Sequence, residues 1–153
     1  MNSVFVYCEL EGTQIEEVSF ELLTKGRKLA SELGVKLEAV VAGHGVKGKV
    51  ESQILPYGVD VLHVFDAPGL SPYTTRPHTA VLVGLFEREQ PQICLMGATA
   101  IGTGINSDPA YADLVTKRLA EISGYPVRKA QNLIAATNDT TDFVSYSGQL
   151  KRL

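Results

Sequence analysis

Short β-branched runs alternate with stretches of helical periodicity as far as residue 102 of this chain, and few folds accept that rhythm. Residues 3–9 (SVFVYCE) are too short for a helix and are bounded by Glu11-Gly12, which predicts a buried strand. Over residues 15–33 the apolar positions Ile15, Val18, Leu22, Leu23, Leu29, Ala30 and Leu33 recur mostly three or four apart, predicting an amphipathic helix. Thr13 ahead of Glu16 offers a capping box, and Gly34 a stop. Residues 36–42 (KLEAVVA) predict a second strand, 46–55 a shorter helix closed by Pro56-Tyr57-Gly58, and 59–65 (VDVLHVF) a third strand ending at Asp66. A turn-rich loop at 67–76 leads to a helix over 77–89 opening on Pro77, and 93–96 is a fourth strand ended by Gly97. Strands spaced by helices imply βαβ crossovers, so the expected fold class is α/β: a three-layer, mainly parallel sheet with an appended helical tail.

Beyond Gly102 the alternation stops. Ser107-Asp108-Pro109 predicts a capped helix to about residue 123, stopped by Gly124-Tyr125-Pro126. A weak strand over 125–128, a short helix over 131–136 and a last helix from Thr140 or Thr141 to Leu153 complete the reading. That last helix ends on QLKRL with no C-cap, which suggests a truncated chain or a tail packed on a partner.

Composition narrows the function classes. The 153 residues carry a formal net charge of −3, so the cation excess that phosphate binding demands is missing and a basic nucleic-acid binder is excluded. With 44% hydrophobic residues, disorder of the whole chain is excluded too. Cys8 and Cys94 both lie inside apolar runs and read as reduced core cysteines of a cytosolic protein, not as a disulfide or a metal site. The N-terminus lacks a basic signal region, and no apolar run approaches the roughly 20 residues of a membrane span. A soluble, cytoplasmic protein is expected.

Two glycine-rich turns are the candidate binding elements. Gly43-His44-Gly45-Val46-Lys47-Gly48 fits G-x-G-x-x-G between a strand and a helix, and Asp66 follows about twenty residues on, as a dinucleotide site would want. The same glycines serve equally as an ordinary steric turn, and here they follow the second strand instead of the first. Gly97, Ala98, Thr99 and Gly102 lie just beyond the fourth strand, at the edge where open α/β sheets take ligands. His44, His63 and His78 show no metal-ligand spacing, His63 falling mid-strand as a packed residue. No serine stands in a nucleophile elbow, and no catalytic residue or metal site is expected.

The stretch VFVYCELEGTQIEEVSFELLTKGRKLASELGVKLEAVVAG, then ILPYGVDVLHVFDAPGL, then PQICLMGAT resembles the amino-terminal domain of the electron transfer flavoprotein alpha subunit, over residues 3–102. That resemblance implies an α/β sandwich related to adenine-nucleotide-binding folds, which packs on a beta subunit. It also implies that FAD sits in a separate carboxyl-terminal domain, and that the heterodimer passes electrons between dehydrogenases and other redox carriers. Where the family continues G-A-T-x-x-G into Arg-Asp-Leu, Gly102 is followed here by Thr103-Gly104-Ile105-Asn106. Residues 97–153, GATAIGTGINSDPAYADLVTKRLAEISGYP and NLIAATNDTTDFVSYSGQLKRL, resemble an internal piece of aspartate ammonia-lyase, of the fumarase/aspartase superfamily. Thr99 and Gly102 to Gly104 would then correspond to a substrate-proximal loop. The serine-bearing catalytic loop of that superfamily is absent, so the fragment does not imply lyase activity.

The two resemblances overlap at residues 97–102, GATAIG, which suggests a chimera. The expectation is an alpha-subunit-like domain over 1–102 and a lyase-like helical tail over 103–153, docked loosely or not at all. Such a chain would be truncated before the FAD domain, pair with a beta subunit and retain no FAD. The two alternatives are a stand-alone module binding an adenine nucleotide weakly at either glycine turn, and an inactive or residual lyase fragment. Apolar positions on the tail helices, Leu114, Leu119, Phe143 and Leu150, lack an evident core and would drive self-association.

Overall fold

Every side chain of the first strand, β1 (Ser3–Cys8), is buried, which places it between two layers. In the computed structural model, which describes residues 3–123, β1 lies inside a parallel sheet with β4 (Lys36–Gly43), β5 (Val61–Asp66) and β6 (Ile93–Leu95), in the order β5-β4-β1-β6. The alternation along β1 divides the core in two. Val4, Val6 and Cys8 face one layer with Leu37, Ala39, Val41, Ile93 and Leu95, where Leu23 and Ala30 of α1 (Glu17–Leu33) and Val46, Val50 and Ile54 cover them. Phe5 and Tyr7 face the other with Val40, Cys94 and Met96, beneath Leu82, Leu85 and Phe86 of α3 (Thr75–Glu89). The three-layer α/β architecture expected from the alternation is the one observed.

Several local expectations give way. Thr13 does not cap α1: residues 10–15 form a small antiparallel hairpin, β2 (Leu10–Glu11) with β3 (Gln14–Ile15), and the helix begins two residues after Ile15 with no side-chain cap. Ile15 therefore enters the core from a strand. Gln53 holds this hairpin, accepting from the Ile15 N–H at 2.9 Å and donating to the Thr13 carbonyl at 3.0 Å. The helix expected over 46–55 shrinks to α2 (Glu51–Ile54) and a 3-10 turn, Leu55–Tyr57, because Gly48 takes a positive φ of 80° that no helix accepts. Helix α3 opens two residues before Pro77, behind Thr74 in extended conformation. Gly34 does stop α1, in left-handed conformation.

The region after β6 departs furthest from expectation. The sequence places a turn at residues 97–102 and the next helix only after Asp108-Pro109, yet α4 (Ala100–Ser107) starts inside that turn. Its Thr99 cap accepts from the Gly102 N–H at 3.0 Å. The expected helix after Asp108-Pro109 is present as α5 (Pro109–Ser123), with the Asp108 carboxylate accepting from the Ala110 N–H at 3.0 Å. These helices are not loosely docked. Ile105 is fully buried and Tyr111 is 1% exposed, both in the same cluster as Phe5, Phe86 and Met96, with Leu114 packed against it. The third layer over the sheet is thus α3, α4 and α5 together, running without interruption through residue 102. The strand expected over 125–128, the helices over 131–136 and from 140 onward, and the side chains of Leu119, Phe143 and Leu150 lie outside the described residues.

Candidate functional site

The strand order fixes where a ligand crevice can lie. From β1 the chain steps outward to β4 and β5, then returns past β1 to β6, so the topological switch point falls between the carboxyl ends of β1 and β6. Gly97, Ala98, Thr99 and Gly102 are brought to that point. Facing them is Glu9, which immediately follows β1 and is 5% exposed. The Thr99 hydroxyl donates to Glu9 Oε1 at 2.5 Å while Thr99 Oγ1 accepts the Gly102 N–H. The Glu9 backbone is pinned as well, its N–H donating to Ser19 Oγ at 2.8 Å and its carbonyl accepting from the Glu16 N–H at 2.9 Å.

Two glycines make this turn sterically necessary. A Cβ on Gly102 would lie 1.9 Å from the Gly97 carbonyl oxygen, an overlap of backbone on backbone. One on Gly97 would lie 3.0 Å from Glu9 Oε1. Ala98 is exposed at the tip. In this turn the Glu9 carboxyl meets Thr99 and lies against Gly97.

Burial pushes the Glu9 carboxyl above its ordinary range, the Thr99 hydrogen bond opposes this, and the Glu16 charge adds to it. The native state therefore holds the Glu9 proton more tightly than the unfolded chain does. Stability falls as pH rises from the ordinary carboxylate value of 4.5 through the raised native one. Glu9→Gln, which keeps an acceptor for Thr99, is expected to gain stability relative to the wild-type protein across that same rise. Chemical denaturation of both proteins from pH 4 to pH 8 checks this, and a difference independent of pH would contradict it.

The second turn is brought to the carboxyl ends of β4 and β5, beside Asp66. Asp66 Oδ1 accepts from the Gly45 N–H at 2.8 Å, and Oδ2 from the Val46 and Lys47 N–H groups at 2.9 and 3.0 Å. His44 Nδ1 stands 3.5 Å from Oδ1, and the Gly48 N–H donates to Glu51 Oε1 at 3.0 Å. Gly43, Gly45, Gly48 and Asp66 thus come together, but in the opposite sense to a dinucleotide site. The acidic residue that should wait for a ribose fills the amides that should meet a phosphate. Those amide bonds, from Lys47 and Gly45 first, hold the Asp66 carboxyl below the ordinary range, so it stays ionised at neutral pH.

The remaining reactive side chains serve the core. His78 is 4% exposed, and its Nε2–H donates to the Leu70 carbonyl at 2.9 Å, which leaves Nδ1 to accept the Tyr7 hydroxyl at 2.7 Å. Burial holds the imidazole below its usual pKa and raises that of the Tyr7 phenol. His63 pairs with Glu38 at 3.0 Å and packs on Phe5, the packed role its mid-strand position predicts. Both cysteines are free and buried, and burial pushes the Cys8 thiol up to about 12, so neither offers a thiolate. Among the described residues no three His, Cys, Asp or Glu side chains gather to hold a metal, and no helix is long and apolar enough to cross a membrane.

Glu9 is the residue that sequence reading missed. Its partner Thr99 lies 90 positions away, beyond the reach of any local pattern.

Residues 4–128 match the electron transfer flavoprotein domain family. The acryloyl-CoA reductase electron transfer subunit beta of Anaerotignum propionicum is 34% identical over 123 residues, 72% of this chain and 33% of that protein. The electron transfer flavoprotein subunit alpha of Thermoanaerobacterium thermosaccharolyticum is 31% identical over 125 residues, covering 81% of this chain and 37% of the relative. A shorter, closer likeness joins the chain to the aspartate ammonia-lyase of Pseudomonas aeruginosa, 58% identical over 57 residues, 37% of this chain and 12% of the enzyme. The chain spans about a third of the length of these flavoprotein relatives.

Proposed function

The chain belongs to the electron transfer flavoprotein domain family, and from that membership we propose that it acts as an alpha-subunit-like module pairing with a beta-type subunit in electron transfer. The observation that carries the proposal is the family match running from β1 to the end of α5, coincident with one doubly layered core. Relatives named for either subunit type share the likeness, and the alpha reading rests on residues 3–102.

FAD fits neither glycine turn of the described residues. At Gly45 to Lys47 the amides that would meet a pyrophosphate are filled by Asp66, and at Gly97 the Glu9 carboxyl faces the turn. We therefore assign no flavin chemistry to these residues and place the family's FAD elsewhere in the assembly. The division at residue 102 is proposed as a seam of origin, an alpha-subunit-like front joined to a lyase-like segment within the shared GATAIG. Its two buried, unpaired thiols suit a reducing compartment such as the cytoplasm.

Co-expression with a beta-type electron transfer flavoprotein subunit, followed by size-exclusion chromatography, tests the proposal. The two chains are expected to co-elute. A folded chain that elutes alone whatever beta-type subunit is supplied would overturn it.

A further inference from the structure

The 44–48 loop is unusual in how completely a side chain of its own protein satisfies it. Three consecutive backbone amides, those of Gly45, Val46 and Lys47, converge on the two oxygens of one carboxylate at 2.8 to 3.0 Å. Gly45 takes a left-handed φ of 68°, and the N–H groups of residues 45–47 turn toward one point, while that of Gly48 turns to Glu51. The surroundings carry both signs of charge: His44 lies against the same carboxylate, Lys47 and Lys49 flank the turn, and Glu51 Oε1 accepts from the Gly48 N–H at 3.0 Å. The place is also open to solvent, since His44, Gly45, Lys47 and Gly48 are exposed and the Asp66 side chain retains 24% of its accessible surface.

We propose that residues 44–48 form an oxyanion-binding nest that Asp66 keeps closed by autoinhibition: a phosphate group or similar oxyanion binds there only in place of the Asp66 carboxylate. The inference stands on the loop geometry and does not depend on the subunit-pairing reading. A tethered carboxylate competes at an effective concentration on the order of millimolar or more, with no translational entropy to lose. A free anion must meet that competition before it gains the three amides. A dianionic phosphate offers more charge and more acceptor oxygens than a carboxylate, so it is the ion expected to profit once the nest is vacated. The backbone at Asp66 is set independently of the side chain, because the Ala67 N–H bonds the Gly43 carbonyl at 3.0 Å and β5 pairs with β4 through Asp66. Removing the carboxylate is therefore expected to leave the loop in place.

The test titrates the whole chain and its Asp66→Ala and Asp66→Asn variants with inorganic phosphate, with formate and with AMP, following the amide resonances of residues 45–48. Wild-type amides should stay unmoved into tens of millimolar phosphate. Asp66→Ala should bind phosphate at least tenfold more tightly than wild type, and formate should restore part of its lost thermal stability. Asp66→Asn, whose amide oxygen still accepts from the nest, should resemble wild type. An AMP response confined to the same amides and no stronger than that to phosphate would mark the nest as reading the oxyanion alone, as proposed. The proposal is overturned if folded Asp66→Ala ignores both anions, or if wild type binds phosphate as tightly as the variant does. Should Asp66→Ala not fold, failure of formate and phosphate to rescue its folding overturns it equally.

Discussion

Gly102→Ala is expected to remove about 3 kcal/mol or more of stability, and at that size to leave much of the chain unfolded. The added methyl would sit 1.9 Å from the Gly97 carbonyl oxygen, and no side-chain rotation relieves a contact between two backbone segments. Either the β6–α4 turn opens or α4 unwinds, and each exposes Ile105 and breaks the Thr99–Glu9 clasp. Gly104→Ala supplies the comparison on the same helix. Its Cβ would meet Thr75 Oγ1 at 3.3 Å, a side-chain atom that can yield, and alanine favours the helix, so the change should stay within about 1 kcal/mol. Thermal unfolding followed by circular dichroism reads both. Equal, small effects of the two substitutions would mean that the Gly97–Gly102 approach is looser than described.

This contact also gives a physical reason for the composition of the hexapeptide GATAIG, where the two sequence resemblances overlap. The first and last glycines of the hexapeptide touch through their backbones, and the threonine between them caps the helix that follows. A strand-to-helix turn of this shape requires small residues at both ends, whatever precedes or follows it.

The second large effect is expected at Tyr111. Its ring is 1% exposed, lies 5.9 Å from that of Phe86, and belongs to α5, beyond the residue 102 at which the alternation of strands and helices is expected to end. Tyr111→Ala opens a cavity between α3, α5 and the sheet at a cost of about 3–5 kcal/mol. At about 2–4 °C per kcal/mol, that lowers Tm by roughly 10 °C. Tyr111→Phe keeps the ring and should cost only about 1 kcal/mol through the lost hydroxyl, which hydrogen-bonds Cys94. If Tyr111→Ala melts with wild type, α5 does not belong to the core.

Much of this fold is readable in the sequence, because a buried parallel strand announces itself by length and β-branching. Residues 3–9, 36–42, 59–65 and 93–96 all coincide with strands to within two residues at either end. Helix α5 is equally plain from Asp108-Pro109. What failed was local reasoning where tertiary partners decide. Helix α4 hides behind Gly102 and Gly104, both poor helix formers, the first of them required by the close approach to Gly97. Thr13 and Glu16 spell a capping box, yet Gln53 draws the Thr13 segment into a hairpin from 40 positions away. At both candidate sites the sequence leaves the tertiary partner unread, for one reason. A motif shows which backbone amides could meet an anion, but not that Asp66 already meets them, nor that Glu9 closes the other turn.

The integration of α4 and α5 into the α/β domain is the claim on which the rest depends, and native-state hydrogen exchange tests it most directly. The amides of α5 near Tyr111 and Thr116, both buried, should exchange in the same slow, cooperative class as those of β1 and β4 and should lose protection with them as denaturant is added. If the α5 amides exchange at the rate of an isolated helix while β1 and β4 stay protected, the domain ends near residue 102 and the tail is an appendage after all.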